Sequence, residues 1–204
     1  MSATKASMPI AYFYCTRSPA EPERADLDEI MRSILRQLSC SKLDLPIREP
    51  VAKKYKEMKE EADEDGYEPA KLRIAECVDL ILALLESNPA TIIIDALDEC
   101  DPNRRYELLL AFDKIIRNSA NVVKIFVSSR DDNDIVRRLA NSPNVVIRAS
   151  DNGEDIERFV RSKVDQSIIE QRLLSGNVSD ELKSRIISVL IMELKGCRRC
   201  SQFL

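Results

Sequence analysis

The chain has 204 residues, 44% hydrophobic and 32% charged, which is long and apolar enough to bury a core and argues against intrinsic disorder. Its 31 basic and 35 acidic residues are interleaved and sum to a formal net charge of −4, so no electrostatic footprint for DNA or RNA is present and no nucleic acid partner is expected. Histidine is absent, which excludes a Ser-His-Asp or Cys-His arrangement and leaves any chemistry to carboxylates and cations.

Residues 1–9, MSATKASMP, lack the apolar stretch of a secretory signal and read as a flexible N-terminus. No apolar run approaches the roughly 18 residues of a membrane span, so a cytoplasmic location without a membrane partner is expected. Six cysteines at irregular spacing read as free or buried thiols of a reducing compartment rather than a disulfide framework.

IAYFYC (10–15), closed by the turn-rich SPAEPE, predicts a buried first strand and its exit loop. Asp26 with Glu29 three residues later is a capping pattern, and Leu27, Ile30, Met31, Ile34, Leu35 and Leu38 follow at helical spacing. From 42 to 70 the chain turns polar and predicts a solvated helix and then a loop, after which Ile74, Val78, Ile81 and Leu85 restore a helical stripe over 71–86. Asn88-Pro89 ends that helix just before TIIID, which reads as a buried strand over 90–95. Asp101-Pro102 predicts an N-cap with proline at the first helical position, opening a helix through Leu108, Leu109, Phe112, Ile115 and Ile116. NVVKIFVSSR (121–130) is apolar almost throughout, which predicts a strand covered on both faces, and NVVIRAS (144–150) predicts another. Amphipathic helices near 154–169 and, after Ser179, near 179–194 close the chain.

Alternating strands and helices predict a parallel α/β sheet with right-handed crossovers, in which ligands bind beyond the carboxyl ends of the strands. Asp95 and Arg130 fall at such ends, and Asp98 and Glu99 follow Asp95 in the next loop. An acid there suits a magnesium ion held through water, a second carboxylate can orient or deprotonate a water, and a guanidinium matches phosphate oxygens. The structural alternative is that Asp98, Glu99 and Asp101 cap the following helix and complement its dipole, with Arg130 an ordinary surface residue.

The segments YFYCTRSPAEPERADLDEIMRSILRQLS, TIIIDALDECDPNRRYELL, VKIFVSSRDDNDI and NVVIRASDNGEDIERFV resemble the NACHT-type nucleotide-binding domain of fungal STAND proteins. This is the heterokaryon-incompatibility-like or nephrocystin-3-like N-terminal module, usually joined to ankyrin or WD repeats. The resemblance implies a three-layer parallel sheet of the P-loop NTPase type over residues 10–170, with 171–204 a C-terminal helical extension. It also implies a signalling switch controlled by ATP or GTP with Mg2+, acting through protein partners such as homologous chains. Under it, Asp95 matches the Walker B aspartate that holds magnesium through water, Asp98 and Glu99 the acids that position or activate the hydrolytic water, and Arg130 the sensor arginine for the terminal phosphate.

No G-x-x-x-x-G-K-[ST] occurs, since Gly66, Gly153, Gly176 and Gly196 stand far apart and none precedes a Lys-Ser or Lys-Thr pair. With only nine residues ahead of the first strand, the expectation is a domain incomplete before its P-loop strand and at its C-terminus, leaving unpaired sheet edges. A phosphate loop offers several charge-assisted hydrogen bonds of roughly 1.5 to 3 kcal/mol each, so losing four removes about 6 to 12 kcal/mol. Micromolar affinity totals only about 8 kcal/mol. The chain by itself is therefore expected to bind nucleotide weakly and to lack NTPase activity. The alternatives are a non-catalytic interaction fragment that pairs with intact homologues and a magnesium-dependent phosphohydrolase using Asp95 and Glu99, for which the sequence offers no dedicated substrate pocket. Cys197 and Cys200 form a C-x-x-C with no second pair or histidine to complete a zinc site, while Cys15, Cys40, Cys77 and Cys100 read as structural thiols.

Overall fold

Strand β1 (Ile10–Tyr14), helix α1 (Leu27–Ser39), α2 (Glu49–Asp65), α3 (Ile74–Leu85), β2 (Ala90–Asp95), α4 (Arg105–Asn118), β3 (Val123–Arg130) and α5 (Asn133–Leu139) alternate along the first two thirds of the chain. β4 (Asn144–Ile147), α6 (Gly153–Ile169), α7 (Asp180–Lys195) and β5 (Cys200–Phe203) follow. The structure is a computed structural model that describes residues 8–40, 46–147, 151, 153–195 and 200–203. It divides into two units, Met1–Asn144 with Gln202–Leu204, and Val145–Ser201. Among the described residues no helix is long and apolar enough to cross a membrane. The expected N-terminal tail up to residue 7, the end of the predicted strand at 148–150, and Cys197 lie outside the described residues.

In the first unit β2 lies between β1 and β3, parallel to β1 with Ala11 opposite Ile92 and to β3 with Ile92 opposite Ile125. Parallel pairing requires the intervening helices as crossovers, which is why β-branched runs alternate with helical stripes. The register puts Ala11, Phe13, Ala90, Ile92, Ile94, Val123, Ile125 and Val127 on one face, and all of them join the core with Ile30, Ile34, Val78, Ile81, Leu108 and Phe112 from α1, α3 and α4. The other face carries Ile10, Tyr12, Tyr14 and Ile93, which are 58%, 52%, 55% and 37% exposed, and Lys124 is exposed beside them. On this face of β3 Lys124 is exposed while Phe126 and Ser128 are half-buried, so the cover expected on both faces of β3 is only partial there: a run of β-branched residues marks a strand but does not say which of its two faces has helices to meet.

β1 protects its outer side with side chains. The Gln37 carboxamide accepts from Tyr12 N at 3.0 Å and donates to Tyr12 O at 2.8 Å, and Arg24 donates to Tyr14 O through Nε and Nη2 at 3.2 and 3.0 Å. Backbone groups that would template another strand are thereby satisfied. Next to β3 in the strand order lies β5, whose Gln202 and Phe203 belong to this unit, so the sheet does not end at β3 in one of the unpaired edges expected.

Helix starts follow local chemistry. Asp26 caps α1 by accepting from Glu29 N at 2.9 Å. The N-terminus of α3 is capped from α1, where the buried Asp28 accepts from Ile74 N at 3.0 Å while Glu76 reaches back to Arg73 N at 2.9 Å. α2 buries nothing and ends on Gly66, whose φ of 72° is the left-handed conformation glycine takes without steric cost. Asp101 is not the N-cap of α4: its side chain turns onto Asn103 N at 3.0 Å, its carbonyl accepts from Arg105 N at 2.8 Å, and the helix begins after this turn. The short α5 was not anticipated, because DDNDIVRRL carries a single buried position, Ile135.

The second unit is built on α6 and α7, whose Val160, Val164 and Ile187 form a small core with Ile156, Ile186 and Ile191 around it. Ser179 starts α7 as expected, its Oγ accepting from Leu182 N at 3.3 Å. Lys183 pairs with Asp165 at 2.6 Å.

Two outcomes follow from the packing of the first unit. Ile94→Ala, which empties a fully buried position in the core of this unit, is expected to lower stability by about 3 to 4 kcal/mol in urea unfolding. Burial pushes the Cys77 thiol up to about 11 from 9.0, so its contribution to stability is complete below pH 9 and is lost as pH rises toward 11. Thermal unfolding over that range is expected to show a shallower alkaline decline in Cys77→Val than in the unaltered protein.

Candidate functional site at the strand ends

Asp95 is the last residue of β2 and is exposed. Its backbone carbonyl accepts from Cys15 N at 3.0 Å, and its carboxylate accepts a hydrogen bond from the Ser128 hydroxyl near the end of β3. Ser128 Oγ in turn accepts from Ala96 N at 3.0 Å. One hydroxyl therefore joins two strand ends and orients the acid. Among the described residues Ser128 is the one hydrogen-bond partner of that carboxylate, which leaves its second oxygen available.

The chain then reverses sharply. Ala96 adopts φ 56° and ψ 51°, an uncommon conformation for alanine, and Leu97–Glu99 form a single 3-10 turn closed by Glu99 N to Ala96 O at 2.9 Å and Cys100 N to Leu97 O at 3.1 Å. Leu97, with no exposed surface, roots this turn in the core.

The turn brings Asp98 and Glu99 against Arg130. Asp98, 9% exposed, accepts from Arg130 N at 3.0 Å, and the Arg130 guanidinium lies 3.5 Å from Asp98 Oδ2 and 3.5 Å from Glu99 Oε1. Glu99 Oε2 also accepts from Arg17 N at 3.2 Å. All four residues singled out in the sequence thus gather at one rim. Asp98 and Glu99 are engaged by protein donors, whereas Asp95 faces solvent.

Two further arginines hold the turn by its carbonyls. Arg17, in the loop leaving β1, donates from Nη2 to Asp98 O at 2.8 Å and to Cys100 O at 2.9 Å. Arg105, at the start of α4 and 2% exposed, donates from Nη1 to Asp98 O at 3.0 Å. Its remaining donors reach Asp134 through Nε at 3.0 Å and Nη2 at 2.7 Å, and Asp132 at 3.0 Å. Burial works against ionisation of Asp134, but the hydrogen bonds and charge of Arg105 outweigh it and hold that carboxyl below the usual range. Neither Arg17, Arg105 nor Ser128 was assigned a role from the sequence. The one local signal was that Ser128 stands in the SSR that ends β3.

Among the described residues no group of three or more His, Cys, Asp or Glu side chains is arranged to hold a metal ion, so any cation here would rest on Asp95 with water completing its shell. A pocket of about 430 Å³ opens elsewhere, between the start of α1 and residues 70–73, and is lined by residues including Asp26, Glu29, Arg32 and Lys71 rather than by the rim acids.

A parallel α/β unit with an acid-bearing turn at its strand ends is the class this geometry defines. The family model described as nephrocystin 3, N-terminal, matches residues 2–130, more than half of the chain, and the protein belongs to that family. No curated protein and no solved structure matches the chain.

Replacing Arg105 by Met preserves side-chain length and leaves the Asp98 carbonyl with one donor fewer, and is expected to cost about 2 kcal/mol in urea unfolding at pH 7. Because the Asp134 carboxyl is depressed in the fold, its contribution is present above the unfolded value of 3.8 and is lost as pH falls below it. The difference between Arg105→Met and the unaltered protein should accordingly narrow when unfolding is repeated below pH 3.

Proposed function

We infer that the chain is the acid-bearing part of a nucleotide-controlled signalling switch of the NACHT type, a STAND-class P-loop NTPase, working with ATP or GTP and Mg2+. The observation that carries this reading is the rim itself. An exposed aspartate ends β2, its orientation set by the serine of the neighbouring strand, with two acids and the strand-terminal Arg130 beside it. In this reading Asp95 holds magnesium through water, Asp98 and Glu99 position the attacking water, and Arg130 meets the terminal phosphate. The donor set fits a hard cation bound through water at one carboxylate. The phosphates themselves have no glycine-rich cradle in these 204 residues.

The ion pairs of Arg130 with Asp98 and Glu99 supply the switching logic. A phosphate that recruits this guanidinium releases two carboxylates, so the nucleotide-bound and nucleotide-free rims differ in charge pairing. Attached ankyrin or WD repeats and homologous chains are the partners this class of switch would use. The alternative, a non-catalytic protein-interaction module, is favoured by a different observation: the exposed sheet face of Ile10, Tyr12, Tyr14 and Ile93.

Titration calorimetry of the chain with MgATP and with MgGTP is expected to give no binding at micromolar concentrations, and micromolar affinity would refute the need for an added phosphate loop. The transcript upstream of the Met1 codon decides between the two readings. An in-frame glycine-rich loop ending in Lys-Ser or Lys-Thr, with nucleotide hydrolysis by the encoded protein abolished by Asp95→Asn, establishes the switch. A stop codon immediately upstream transfers the function to protein interaction.

A further inference from the structure

Cys15 and Cys100 are 85 positions apart in the chain, yet the Cys100 thiol donates to Cys15 Sγ at 3.3 Å. Cys15 is the first residue beyond β1 and Cys100 closes the acid turn, and both are buried. The backbone on each side is held independently of the sulfurs. Cys15 N bonds to Asp95 O at 3.0 Å, Cys100 N to Leu97 O at 3.1 Å, and Arg17 clasps Cys100 O at 2.9 Å. The two thiols therefore stay side by side in the folded chain. A disulfide has sulfurs about 2.05 Å apart, so bonding needs an approach of roughly 1.3 Å, which side-chain torsion can provide.

We propose that Cys15 and Cys100 form a reversible dithiol–disulfide pair which, oxidised by a low-molecular-weight disulfide such as glutathione disulfide, locks the acid turn to the end of β1. The thiolate of one cysteine attacks glutathione disulfide, forming a mixed disulfide and releasing one glutathione thiolate. The second cysteine, deprotonated, then displaces the second glutathione. Two protein thiols and one glutathione disulfide become one protein disulfide and two glutathione thiols, the two protons passing to the released thiolates and two electrons from protein to glutathione.

Burial makes this exchange slow and selective. Both sulfurs are enclosed by the fold, so glutathione disulfide reaches them when the acid turn opens. Once formed, the bond fastens Asp98 and Glu99 to β1 and closes a long loop of the unfolded chain. This is a property of the turn itself and holds whichever reading of the rim is correct.

The test incubates the intact chain without denaturant in glutathione redox buffers at pH 8, quenches with acid, alkylates in denaturant and maps the peptides. The expected result is a Cys15–Cys100 cross-link that reduced glutathione reverses, together with a rise in thermal midpoint on the order of 10 °C. Cys100→Ala is expected to abolish both the cross-link and the rise. Should that variant fail to fold, Cys15→Ala serves the same comparison, and the mapped cross-link in the unaltered chain decides by itself. Recovery of both cysteines alkylated after prolonged exposure to excess glutathione disulfide overturns the proposal. So does their recovery as two separate glutathione adducts or joined to other cysteines.

Discussion

A guanidinium that is 2% exposed stands beneath the acid turn, and the arrangement of the strand ends depends on how its charge is met. Stripping Arg105 of water would cost several kcal/mol if it were left unpaired. Asp132, just before α5, and Asp134, in its first turn, supply the counter-charge and the Asp98 carbonyl supplies a third acceptor, so one side chain binds α4, the acid turn and the start of α5 together. Arg17 grips the same carbonyl from the β1 side. The turn between β2 and α4 is thereby held through its backbone, which leaves the carboxylates of Asp95 and Glu99 to be set by other partners.

Those partners divide three similar acids into different environments. Asp98 is enclosed and spent on Arg130, Glu99 is shared between Arg130 and the Arg17 backbone, and Asp95 meets Ser128 with its other side toward solvent. Asp98 and Glu99 share the Arg130 guanidinium while Asp95 has no cation beside it, and an anion arriving there competes with Asp98 and Glu99 for Arg130. Under the proposed reading this competition couples ligand to conformation. Under the interaction reading it is a rigid polar seam that keeps the turn in register with the sheet.

The remainder of the first unit follows from burying a single face of the sheet. Ile92 and Ile94 belong to one core with the buried faces of α1, α3 and α4, and the buried Asp28 ties those helices by capping α3 and approaching Arg104 at 3.5 Å. The opposite face keeps two tyrosines, whose rings meet edge to face at 5.6 Å and whose hydroxyls tolerate water, beside Ile10 and Ile93. Gln37 and Arg24 close the backbone of β1, so what this unit offers outward is a side-chain surface rather than a strand edge.

Most element positions were legible in the sequence because their causes are local. The Asp26 cap, the helical stripe through Ile34 and Leu38, the stop at Asn88-Pro89 and the cap at Ser179 all act within a few residues of themselves. Asp101 shows the limit even there, since a cap residue before proline can close its own turn on Asn103 and delay the helix. The candidate acids were also legible, because an apolar β-branched run ending in Asp95 marks a strand's carboxyl end. What holds them was not: Ser128 lies 33 residues from Asp95, Arg17 81 from Asp98 and Arg130 32 from Asp98. Nor does TIIID distinguish Ile93, which is 37% exposed, from Ile92 and Ile94, which have no exposed surface. The sequence by itself determined the alternation of strands and helices and the chemistry available at the strand ends. Only the tertiary structure decided which face is dry, which acid is open and which two thiols touch, since these depend on register and on pairings between residues distant in the chain, to which local periodicity is blind.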